Sequence, residues 1–244
     1  MDLEVTEAGA GEALVMFVHG VLDRGRSFAR VADLLTPHCR VSWYDRRGYG
    51  ASADAAGVPA NVDVHIDDLL AVLDGRRAVV VGHSFGGVVA AGAAVRAPDN
   101  VEALVLYESV MAWTPGWDDR TMRETLWAEE PENAALRLML GNRYDGMSHA
   151  ARARLQRQAR AFVAEERSTR AATPPYDPGE LRVPLVYGFG DDFPVAAVRQ
   201  HLRSVARDAE FVTIPGADHN AHRTAPEAFA ELVCRGLRRR QRQP

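Results

Sequence analysis

The stretch that most constrains how this chain can fold runs from Ala78 to Val95. Ala78-Val79-Val80-Val81 is a short apolar run of buried-strand character, Gly82-His83-Ser84-Phe85-Gly86 follows it, and Gly87-Val88-Val89-Ala90-Ala91-Gly92-Ala93-Ala94-Val95 has the small residues of a closely packed helix. The order is strand, tight turn, helix. Gly82 and Gly86 stand two residues either side of Ser84, where the missing side chains let strand and helix close together and lift the serine hydroxyl clear of the sheet on strained backbone. This is the pattern of a nucleophile elbow. The five-residue pattern recurs by chance, and its value comes from the β-branched run before it and the helix after it.

The rest of the chain alternates in the same way. Leu3 to Thr6 read as an edge strand, Ala13 to Val18 as a central one, and Phe28, Val31, Ala32, Leu34 and Leu35 recur at helical spacing before the strand Arg40 to Tyr44. Asp63 to Leu73 is an amphipathic helix stopped at Gly75, and Val101 to Tyr107 is a strand beyond the elbow helix. Such alternation requires a mostly parallel sheet with helices on both faces, an α/β fold. The regularity breaks at 111–178, where no strand is predicted and Asp118 to Glu130, Glu132 to Leu140 and Ser148 to Thr169 read as helices. That segment is too polar for a large core of its own and is expected as a helical cap, with 1–110 and 179–244 forming the main domain. In the returning chain Val183 to Gly188 and Glu210 to Ile214 are strands, with helices at Ala196 to Val205 and Pro226 to Arg239.

Composition excludes several classes. The 244 residues are 47% hydrophobic, enough for a sizeable core, and a net charge of −4 argues against a nucleic-acid binder despite the basic end Arg235, Arg238, Arg239, Arg240 and Arg242. That end reads as a last helix with cations at its negative terminus. The start, Met1-Asp2-Leu3-Glu4, lacks the basic and apolar regions of a leader, and no apolar run approaches the roughly 18 residues of a membrane span. A cytoplasmic protein without membrane partners is expected, with Cys39 and Cys234 as reduced thiols.

A serine hydroxyl needs a base to take its proton, an acid to orient that base, and donors for the oxyanion that forms on the attacked carbonyl. Asp191 ends one predicted strand and His219 lies in the loop after the next, so parallel strands bring both to the edge that carries Ser84. Asp192, and Glu108 at the end of its own strand, are alternative acids. The backbone N–H groups of Val21, after His19-Gly20, and Phe85, at the start of the elbow helix, are the candidate donors. His222 reads as a capping or surface residue, while His83, His19 and Arg47 read as structural. No histidine spacing suggests a metal site, and no cofactor is expected.

Taken together, Phe17-Val18-His19-Gly20-Val21, Asp45-x-Arg47-Gly48-x-Gly50-x-Ser52, the elbow, Gly188-x-x-Asp191 and Gly216-Ala217-Asp218-His219 followed by Pro226-Glu227 resemble the α/β-hydrolase fold superfamily. The likeness is to its small lid-bearing members, the esterases and cofactor-free haloperoxidases. It covers the chain outside the cap. The resemblance implies a Ser84–His219–Asp191 triad with Val21 and Phe85 as oxyanion hole, and it favours Asp191 over Asp192 because the family places the acid three residues after the glycine. Some relatives carry the acid one strand earlier, which would make it Glu108.

Substrate choice falls to the cap, whose Trp113, Trp117, Trp127, Met139 and Tyr144 are the candidate pocket residues; gluing the cap to the main domain is their other reading. The expected activity is hydrolysis of a small, largely apolar carboxylic ester or thioester through an acyl-enzyme. Perhydrolysis, carbon–carbon bond hydrolysis, and a ligand-binding protein with an idle triad remain as alternatives, and oligomeric state is left open.

Overall fold

The computed structural model describes residues 3–206 and 208–240, so Met1, Asp2 and Arg242 of the terminal readings lie outside the described residues. Strands β1 (Val5–Ala8), β2 (Leu14–Val18), β3 (Arg40–Tyr44), β4 (Ala78–His83), β5 (Val101–Tyr107), β6 (Leu185–Gly190) and β7 (Ala209–Ile214) form one sheet in the order β1-β3-β2-β4-β5-β6-β7. Only β1 runs antiparallel, pairing Val5 with Tyr44 and Ala8 with Val41 at the edge. Every residue of β2 and β4 is buried, as their unbroken apolar runs require of strands covered on both faces.

Helices α1 (Ala29–Leu35) and α10 (Pro226–Arg240) cover one face through Val31, Leu35, Phe229 and Val233. Helices α2 (Val62–Leu73), α3 (Phe85–Arg96) and α8 (Val195–Val205) cover the other through Ile66, Leu69, Val88, Val198 and Leu202. The chain leaves β2 toward β3 on one side, while its other neighbour, β4, is reached only later through α2. The loops after β2 and β4 therefore part at the strands' carboxyl ends, and a crevice opens between them.

Between β5 and β6 the chain forms α4 (Arg120–Leu126), α5 (Pro131–Leu140), a short α6 (Asn142–Asp145) and α7 (His149–Ser168), without a strand among the described residues. Helix α4 is shorter than expected. It ends at Leu126, and Pro131 opens α5 with Glu130, the residue that a proline keeps out of helical backbone, as its N-cap. The cap is held by two small apolar clusters, Leu126, Ala135, Phe162 and Val163 in one, Leu136, Tyr144 and Ala159 in the other, with Leu22 of the main domain packed against both. A four-residue α9 (Ala221–Thr224) precedes α10. Cys39 and Cys234 are free thiols, and no helix among the described residues is long and apolar enough to cross a membrane.

Candidate active site

Ser84 stands at the carboxyl end of β4 with φ 52° and ψ −126°, a conformation that non-glycine residues avoid. The flanking glycines make it possible. A Cβ on Gly82 would lie 2.4 Å from Gly87 Cα, and one on Gly86 would lie 2.2 Å from the carbonyl oxygen of Val18. Strand and helix are thus in backbone contact around the serine. The loop after β2 also comes close, since a Cβ on Gly20 would meet Ser84 Cβ at 3.0 Å. Val21 N–H follows in that loop, and Phe85 N–H opens α3, where the first turn has no carbonyl partners of its own and the helix dipole is positive.

His219 lies in the loop after β7. Its backbone carbonyl accepts from His83 Nε2 at 2.7 Å, and the preceding carbonyl, of Asp218, accepts from Tyr107 Oη at 2.8 Å. Its Nδ1 is 2.7 Å from Glu108 Oε2. Because a carboxylate only accepts, Nδ1 carries the proton and Nε2 is left as the acceptor. Glu108 directly follows β5 at φ 44°, its carboxylate is 5% exposed, and its other oxygen accepts from Gly190 N–H at 2.9 Å.

The expected pairing of His219 with Asp191 is corrected by these contacts. Asp191 is exposed, and its Oδ2 accepts from Gly216 N–H at 2.7 Å. It braces the loop that carries His219 and does not touch the ring. Asp192, also exposed, makes no hydrogen bond among the described residues. The buried place next to the histidine is taken by Glu108, whose backbone leaves the sheet in the left-handed region and whose carboxylate reaches Gly190 at the end of the neighbouring β6.

A cavity of about 360 Å³ is lined by Ser84, Phe85 and His219 on the main domain, by Val110, Trp117, Met122 and Leu138, and by Phe193. Trp117 stacks on Phe193 with ring centroids 6.1 Å apart. Of the five cap residues expected in the pocket, Trp117 alone lines this cavity. Trp113 packs edge-on against Tyr176, its centroid 5.2 Å away, and belongs to the main core. Tyr144 is buried between cap helices with its hydroxyl on Asn133 Oδ1, and Trp127 and Met139 point to solvent. Helical spacing could not tell the cap's inner face from its outer one. The cavity wall also carries Asp118, Asp119, Glu166 and the guanidinium of Arg170, which is paired to Asp119 and lies 2.6 Å from Glu166 Oε2. Burial raises the Glu166 carboxyl above its ordinary range, although Arg170 pulls it the other way.

Three further histidines are spent on structure. His19 is fully buried and held down to about 4, first by burial and then by Arg46. Burial, with His222 and His219 beside it, likewise holds His83 well below the usual imidazole range. His222, expected in a capping or surface role, is fully buried behind His83, with its Nε2 3.3 Å from Asp23 Oδ2. Asp23, His83 and His222 bring ligand-type atoms within 4.8 Å of one another. The Asp23 carboxylate is already bound by Arg223 and by Ser27 Oγ, so a metal ion there would sit against a guanidinium. Arg47, expected to be structural, grips Asp68 with two bonds of 2.9 and 2.6 Å.

Sequence reasoning passed over the neighbouring Arg46. Its side chain is completely buried, as is its partner Glu165 on α7, and Arg46 Nη1 is 2.6 Å from Glu165 Oε1. The signal was present: Ala161, Phe162, Glu165 and Thr169 fall on one buried face of α7 and its end, and a carboxylate among them demands a cation.

A sequence model of the Alpha/beta hydrolase family matches residues 15–232. The chain is similar to lipase LipV of Mycobacterium tuberculosis, 41% identical over 116 residues that cover 46% of this chain and 43% of that protein. It is also similar to the pimeloyl-[acyl-carrier protein] methyl ester esterase of Chromobacterium violaceum, 35% identical over 56% of this chain and 49% of the esterase. The match thus spans less than half the length of each of these relatives. Among solved structures, a thermophilic esterase from Thermogutta terrifontis superposes with a TM-score of 0.74 at 20% identity, covering 98% of this chain and 93% of that one, a likeness of fold.

Proposed function

The chain belongs to the alpha/beta hydrolase family, a family of enzymes, and from that premise we propose that it is a serine hydrolase of small, largely apolar carboxylic esters or thioesters. Ser84 is the nucleophile, His219 the base and Glu108 the acid. His219 Nε2 takes the hydroxyl proton as Ser84 Oγ attacks the substrate carbonyl, and the oxyanion is received by the N–H groups of Val21 and Phe85. The imidazolium then gives its proton to the leaving alcohol or thiol, and water activated by the same ring cleaves the acyl-enzyme. Glu108 keeps the proton on Nδ1 throughout and stabilises the positive ring.

The observation that carries this reading is the 2.7 Å bond between His219 Nδ1 and a buried carboxylate, in a histidine that lines the same cavity as the strained Ser84. Trp117, Phe193, Met122 and Leu138 give that cavity its apolar part, which suits a hydrocarbon acyl or alcohol group. The names of the esterase and lipase relatives agree in reaction type. The test is steady-state hydrolysis of p-nitrophenyl esters of increasing acyl length by wild type and Ser84→Ala. Turnover that passes through a maximum at short chains and is lost in the variant is expected; a folded Ser84→Ala protein with the parental rate overturns the proposal.

A further inference from the structure

The Arg46–Glu165 pair joins two parts of the molecule that are 119 residues apart in sequence. Arg46 follows β3 and Glu165 lies on cap helix α7, and neither side chain is exposed at all. A buried ion pair is a weak source of stability, because desolvating both charges offsets their attraction. Its position is more informative than its energy.

Arg46 encircles the loop that carries the first oxyanion donor. Its Nε donates to the carbonyl of His19 at 2.8 Å and its Nη2 to the carbonyl of Gly20 at 3.1 Å. Its backbone N–H donates to His19 Nε2 at 2.8 Å, which leaves the His19 proton on Nδ1, and Nδ1 donates to the same Gly20 carbonyl at 2.8 Å. The Gly20 carbonyl and the Val21 N–H belong to one trans peptide unit, in which C=O and N–H point in opposite directions. Two donors that fix the direction of the oxygen therefore fix the direction of the N–H. Donation to the carbonyl, here by a charged group, also polarises the unit and makes its N–H a better donor. The guanidinium carbon lies 4.9 Å from the ring centroid of Phe85, the residue that supplies the second donor.

Glu165 in turn determines where the guanidinium can lie. Its Oε1 is 2.6 Å from Arg46 Nη1 and 2.7 Å from His65 Nε2, and its Oε2 accepts from Tyr49 Oη at 2.7 Å. We infer that Glu165, a cap residue, and Arg46 are positioning residues of the oxyanion hole, which aim and polarise the Val21 N–H through the Gly20 carbonyl. The cap is then part of the catalytic apparatus as well as the wall of the pocket. The inference rests on the serine-hydrolase reading above.

The test uses Glu165→Gln, which keeps the shape and one acceptor oxygen, and the double variant Arg46→Met with Glu165→Gln, which removes both buried charges together and so leaves neither unpaired. Each is assayed on a short p-nitrophenyl ester and titrated with an alkyl trifluoromethyl ketone, whose serine adduct carries an oxyanion. Loss of an oxyanion donor costs on the order of 10² to 10³ in kcat, and a donor that is present but misaimed should cost about 10- to 100-fold. The expected result is that loss in kcat, with KM within about threefold of wild type and the ketone bound more weakly by the factor lost in kcat/KM. Folded variants that keep wild-type kcat and ketone affinity overturn the inference, as does a change confined to KM. If Glu165→Gln does not fold, the double variant decides by the same readings. A wild-type protein that hydrolyses no ester and forms no ketone adduct overturns the serine-hydrolase reading itself, and this inference with it.

Discussion

Replacing Glu108 by glutamine keeps the length and hydrogen-bonding shape of the side chain and removes its charge, so it isolates what the carboxylate does for His219. In the native site Oε2 faces Nδ1 at 2.7 Å and Oε1 accepts from Gly190 N–H at 2.9 Å. The amide oxygen of the substituted side chain can keep the Gly190 bond. Its NH₂ group then faces His219 and favours the tautomer with the proton on Nε2, where it can no longer accept from Ser84. When the ring charges in the transition state, a carboxylate about 4 Å from the ring centre contributes roughly 4 kcal/mol at an effective dielectric of about 20. That is close to three decades in rate. Glu108→Gln should therefore lower the acylation rate on p-nitrophenyl butyrate, measured by stopped flow, by about 10³ or more, as expected when an acid that sets the tautomer is lost. Asp191→Asn retains an acceptor for Gly216 N–H on an exposed loop and should stay within about twofold of wild type, as surface changes away from special features do. Thermal melts of both variants check that the fold is intact. The reverse pattern, a crippled Asp191→Asn beside a near-normal Glu108→Gln, would refute the assignment and restore Asp191 as the acid.

The stacked Trp117 and Phe193 predict that Trp117→Ala raises KM for butyrate about 10- to 100-fold, the loss of about 1.5 to 3 kcal/mol of apolar burial, while Trp127→Ala, 55% exposed and outside the cavity, changes it little. Asp118, Asp119 and Glu166 outnumber Arg170 in the cavity wall, so kcat/KM for p-nitrophenyl hemisuccinate should fall about tenfold below that for the butyrate, with a gap that narrows in salt. Acid should destabilise the fold in two windows, followed by urea unfolding at stepped pH. His19, lowered from 6.5 to about 4, stays neutral when folded, so its contribution is whole above pH 6.5 and is lost as pH falls toward 4. Glu165, opposed by burial but held from 4.5 down to about 2 by Arg46 and His65, contributes above pH 4.5 and loses that contribution toward pH 2. Glu165→Gln should flatten the lower window and leave the upper one in place.

The elbow, the succession of strands and helices up to β5 and the place of His219 were legible in the sequence because each is written in contiguous residues. A β-branched run, two glycines around a serine and a small-residue helix specify their own geometry, and the structure repeats it in the backbone of Ser84 and the contacts of Gly82 and Gly86. The acid was not legible in that way. Asp191 has the expected spacing, but which carboxylate meets an imidazole depends on the reach of a side chain and on the backbone turn at Glu108, neither of which spacing records. The cap shows the same limit. Trp117, Trp127 and Met139 look alike as apolar residues in a polar segment, and only tertiary packing sends the first inward and the other two to solvent. Glu165 left a fainter trace, a charge on the buried face of α7, yet nothing local to it points to Arg46, 119 residues earlier in the chain.

The most direct test of the account is covalent labelling of the nucleophile. Purified wild type and Ser84→Ala are treated with an alkyl fluorophosphonate, and the adduct is located by peptide mass spectrometry. The account predicts one adduct per chain, on the peptide that carries Ser84, and none in the variant. A folded wild type that takes up no label, or a label that persists elsewhere in Ser84→Ala while ester hydrolysis continues, would contradict it.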